Sequence, residues 1–228
     1  MAGNLDESNS AAAQALSKAL ENDFTAAELM TMDDDKLEEV FKAKTDRMMR
    51  PILTSITRQP FRRPETLERL SAILAKAGHG EALLTAGAES KDDHVASAVL
   101  RGVKEVPEAA EEAALTVLTT SPLDETTLPM AVALARVLRT QRLGLAIGRK
   151  FYELRKIAPT EVAQACLRIA DKRLIPLLES RAFADEAEEV AWLVLALVHA
   201  VEDSDKLQKA LDRTHGRGGS QGQLQVAM

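Results

Sequence analysis

From Pro107 to Asp212, apolar residues recur with helical period in roughly six successive segments, separated only by short breaks at Pro122, Pro129, Pro159, Pro176 and acidic turns. A chain of helices joined this tightly has to stack them, because each apolar stripe must be covered by a neighbour. Stacked helical hairpins expose extended surfaces, and these serve binding more often than catalysis. The expectation is an all-α fold, either an irregular helical-hairpin solenoid or an orthogonal helical bundle, with strand signals nearly absent.

Alternate helix starts fall near Pro107, Gln141 and Arg173, and near Pro129 and Thr160, at intervals of about 34, 32 and 31 residues. That spacing is loosely tetratricopeptide-like and shorter than the ~40 to 47 residues of HEAT-type units. The register of small and aromatic residues is not met. Ala146, Phe151 and Tyr152 have no counterparts in neighbouring units, and the interval from Thr160 to Asp185 is shorter than the rest.

The 228 residues are 46% apolar and 28% charged, but hold only five Phe, Tyr152 and Trp192 as aromatics, so Leu, Ala and Val must fill the core. The most apolar run, Val190 to Val198, is about half of the ~20 residues that span a bilayer. It reads as a buried helix, with Trp192 in or beside the core, and no membrane insertion is expected. The single cysteine, Cys166, argues for a reducing compartment. The opening residues Met1 to Ser8 are acidic and polar where a secretory signal is basic and then apolar, so a cytoplasmic location is expected. The Ala, Arg and Leu usage points to a bacterial source.

Four segments are expected along the chain: a mobile N-terminal arm over 1–24, a helical segment over 25–59, a helical-hairpin array over 65–212 and a flexible tail over 213–228. The arm holds one weak helix, Ala11 to Leu20, and Thr25 with Glu28 has the spacing of a capping box. Asp33, Asp34 and Asp35 favour the start of a helix bearing Leu37, Val40 and Phe41, which Pro51 is expected to kink or restart. Met49, Ile52, Leu53 and Ile56 then form an apolar stripe. The prolines of Gln59 to Pro64 mark a linker. Gly78 is placed to end the next helix in the left-handed conformation.

No residues are spaced for catalysis. A phosphate-cradling loop is missing, and His79, His94, His199 and His215 lack the spacing that puts two ligands on one helical face. Asp92, Asp93 and His94 read as a helix start, Cys166 as a buried structural thiol beside Val162 and Ile169, and His199 as a helix-end residue. Gly144 and Gly148, four apart, let a neighbouring backbone approach. A non-enzymatic protein with no cofactor and no metal is expected.

Charge is banded. Formal charges are −8 for residues 1–40, +6 for 41–76, −7 for 77–128, +7 for 129–182 and −4 for 183–228, within a net charge of −6. The basic bands can pair with the acidic ones inside the fold, dock an acidic protein surface, or grip nucleic acid. The docking reading leads to a protein-protein interaction adaptor or scaffold component of a larger assembly. Its surface is expected on the helix from Gln141, where Leu143, Ile147, Phe151 and Leu154 face the core. Arg142, Leu145, Arg149, Tyr152 and Lys156 lie away from that stripe. The alternative is a nucleic-acid-associated regulator that uses Arg47, Arg50, Arg58, Phe61, Arg62 and Arg63. The acidic pI near 5.4 weighs against that alternative.

Overall fold

The computed structural model describes Ser17 and residues 32–58, 64–182, 188–201 and 204–215. These residues form twelve α-helices and no strand. In order they are α1 (Asp34–Lys42), α2 (Asp46–Arg58), α3 (Pro64–Lys76), α4 (Gly80–Glu89), α5 (Asp93–Lys104) and α6 (Pro107–Thr119). Then come α7 (Leu128–Leu138), α8 (Gln141–Ile157), α9 (Pro159–Ile169), α10 (Leu174–Ala182), α11 (Glu188–Ala200) and α12 (Ser204–His215). Among the described residues no helix is long and apolar enough to cross a membrane. The weak helix at Ala11 to Leu20 (Ser17 apart), the capping box at Thr25 and the linker before Pro64 lie outside the described residues. So does the tail beyond His215, and α12 takes in three residues that the sequence reading gave to that tail.

Local chemistry sets the helix ends. Asp33 caps α1 by accepting from the Lys36 amide at 2.8 Å, and Asp92 caps α5 by accepting from the amides of His94 and Val95. Each caps an amide that the first helical turn leaves unpaired. Gly78 adopts φ +93°, and the His79 amide folds back to the Leu74 carbonyl at 2.9 Å, so α3 stops in the left-handed conformation that glycine adopts without penalty. Pro51 departs from expectation. The chain breaks at 43–45 instead, and Pro51 sits inside a continuous α2. A proline in the second turn removes only the bond to the Arg47 carbonyl, and burial of Met49, Ile52, Leu53 and Ile56 on the opposite side holds the helix together.

The described residues belong to two compact units, one within 1–117 and 124–134, the other within 118–123 and 135–228. In the first, α3 packs most extensively on α5, and α4 touches both. The contact is close because Gly102 of α5 lies against α3. A Cβ there would collide with the Glu68 carbonyl oxygen and come within 2.5 Å of Ser71 Cβ. His79 is buried, and its Nε2 meets the Phe41 carbonyl at 3.0 Å, tying the start of α4 to the end of α1.

In the second unit α8 packs on α9 and α10, and α11 on α9, α10 and α12. Gly144 and Gly148 form notches in α8, but side chains fill them where a backbone was expected. A Cβ on Gly144 would stand 2.9 Å from Ile169 Cγ2, and one on Gly148 would stand 2.7 Å from Leu174 Cδ2 and 2.9 Å from Leu177 Cδ1. Branched aliphatic ends from α9 and α10 reach in because α8 offers no side chain there. α11 is apolar on nearly every side: Val190, Ala191, Leu193, Val194, Leu195, Leu197 and Val198 are buried, while Trp192 is half-buried beside that core. Val162 and Cys166 of α9 are fully buried, with Ile169 half-buried on the same stripe.

Candidate functional site

Thr140 caps α8 by accepting from the Leu143 amide, and the stripe Leu143, Ile147, Phe151 and Leu154 is buried as its spacing demands. Away from that stripe stand Arg142, Arg149 and Lys156, all exposed. Leu145 and Tyr152 are half-buried; the Tyr152 hydroxyl oxygen is itself buried, and its ring meets Phe151 edge-on at 5.5 Å. Tyr152 is therefore partly open to solvent while its polar tip belongs to the fold.

α8 is not straight. Lys150 leaves helical geometry at φ −110°, ψ 15°, two residues after Gly148, whose missing side chain weakens the helix locally. Arg142 and Arg149 precede this kink and Lys156 follows it, so the seven-residue spacing of the three cations describes two short segments rather than one continuous row. The Lys150 ammonium donates to the carbonyls of Thr119 at 3.0 Å and Thr120 at 2.8 Å. Those carbonyls close α6, where a cation is favoured by the helix dipole.

The second basic band divides into paired and unpaired cations. Arg155 bonds Glu189, Arg136 donates to Gln164 Oε1 at 2.7 Å, and Arg173 grips Asp171 through Nε and Nη2. The Arg173 hydrogen bonds hold the Asp171 carboxyl below its ordinary range, against the opposing effect of its burial. By contrast, Arg149 and Lys156 have no carboxylate partner among the described residues.

In the first band, Arg47, Arg50 and Arg58 of α2 are exposed, and Phe61, Arg62 and Arg63 lie outside the described residues. Among the described residues no group of three or more His, Cys, Asp or Glu is placed to hold a metal ion. Burial pushes the Cys166 thiol up to about 12, which suits a structural role. His94 stands in the first turn of α5 with its amide held by Asp92, and His199 is exposed in the last turn of α11.

Sequence reasoning missed Lys150 and the pairing of Arg155 with Glu189. Their partners lie 31 and 34 residues away, and no local period signals such a reach. No family model, curated protein or solved structure matches this chain.

Proposed function

We propose that this chain is a non-enzymatic interaction protein, an adaptor or scaffold component of a larger cytoplasmic assembly that docks an acidic protein surface on α8. The observation that carries the reading is the contrast within one basic band. Arg155 and Arg173 are paired with carboxylates of the fold, whereas Arg149 and Lys156 stand exposed, without carboxylate partners among the described residues, on the helix that carries the half-buried Tyr152. Cations left outward beside a tyrosine ring steer an oppositely charged partner and anchor it.

The test reverses Arg149 and Lys156 to Glu and compares partner recovery by affinity capture and mass spectrometry. Both side chains are exposed, so the thermal midpoint should stay nearly unchanged while recovery of acidic partners falls, and added salt should reproduce the loss in the unmodified protein. Full recovery with intact stability would remove α8 from consideration.

A further inference from the structure

We infer that the exposed face of α2 is a second docking surface, one that takes an acidic amphipathic helix from a partner protein. The inference rests on the interaction-protein reading above but on a different helix and the other unit. At 100° per residue Arg47, Arg50 and Arg58 fall within a sector of about 80°, strung along about 16 Å of helix. The opposite side is occupied by Met49, Ile52, Leu53 and Ile56, all buried, so the three arginines cannot turn inward.

Several of the unit's other cations are paired. Lys42 pairs with Glu38, Arg69 with Asp34, and Arg101 with Glu68 at 2.8 Å. Arg47, Arg50 and Arg58 have no carboxylate partner among the described residues. Three guanidinium groups in one sector, on a chain of net charge −6, are a local departure that complementary carboxylates would offset.

The rest of the face selects the kind of anion. Pro51 is exposed beside Arg47, and Met48, 37% exposed, flanks them as one of the large apolar side chains open to solvent. Methionine adapts to apolar partners and is enriched with arginine at protein interfaces. A nucleic-acid strand would instead use stacking rings, and none lies on this face among the described residues. Acidic α1 precedes α2 directly, with Asp35 and Glu39 exposed, which disfavours a long polyanion more than a short helix. A partner helix lying antiparallel, with Glu at positions i, i+8 and i+11 and Leu along one side of that row, matches the three arginines and gives Met48 an apolar neighbour.

The experiment is fluorescence anisotropy on the full chain. Its probe is a dye-labelled helical peptide of that pattern, compared with the same peptide bearing Gln for Glu and with a labelled DNA duplex. The Glu peptide should bind and the Gln peptide should not. Changing Arg47, Arg50 and Arg58 together to Glu should weaken binding by about tenfold or more, with the corresponding Gln variant in between. If the Glu variant fails to fold by thermal melting, the Gln variant decides. Absence of peptide binding, or binding indifferent to these substitutions, overturns the inference. Tighter, steeply salt-dependent binding of the duplex overturns it in favour of nucleic acid. Failure of the α8 reading shows as unchanged partner recovery in the Arg149→Glu, Lys156→Glu variant, whereas failure of this inference shows as peptide binding indifferent to the α2 substitutions, so the two give different results.

Discussion

Ser71 and Gly102 meet where α3 and α5 come closest, and they make opposite predictions. The Ser71 hydroxyl is buried with no hydrogen-bond partner among the described residues, so it carries a desolvation cost that no such bond offsets. Ser71→Ala removes that group, keeps the Cβ and improves helix propensity. Urea denaturation should show it neutral or up to about 1 kcal/mol more stable. A loss above that size would mean the hydroxyl has a partner in solution. Gly102→Ala should instead cost about 1–3 kcal/mol, because the atom it meets is the Glu68 carbonyl and backbone cannot swing aside. Nothing in the sequence marked Gly102 as special, since Glu68 is distant along the chain and a lone glycine in an apolar helix has many meanings. Gly78 was legible because helix-ending glycine depends on local geometry alone.

At the scale of the element, α8 carries both the candidate surface and the kink. Its core stripe was legible because burial follows a 3.6-residue period that any straight segment repeats. The kink was not, and neither was the use of Lys150 to close α6 through the Thr119 and Thr120 carbonyls. A lysine among other cations reads as surface charge until its neighbour in space is known. Lys150→Met keeps the aliphatic stem and removes the donor. It should destabilise the protein by about 0.5–1.5 kcal/mol and speed amide exchange in the last turn of α6. An unaltered exchange pattern would show that the contact contributes nothing to that helix end.

Over the whole molecule, composition determined the class: few aromatics, abundant Leu, Ala and Val, and one stripe after another yield helices and no strand among the described residues. What composition leaves open is which charges are spent internally. Arg155 and Arg149 belong to the same helix, yet among the described residues only the first finds a carboxylate, because Glu189 of α11 lies within its reach. Block charges average over that difference. Cys166 extends the point from structure to measurement. As the sole sulfhydryl of the chain, fully enclosed and protonated well above neutrality, it cannot meet a reagent until its surroundings part. Its modification rate by a small disulfide reagent is thus a clock on the opening of α9, needing no introduced label. That rate should be very slow in native buffer and climb with urea in step with loss of helicity. Prompt reaction in native buffer would mean that the interior around α9 breathes far more often than its close packing allows.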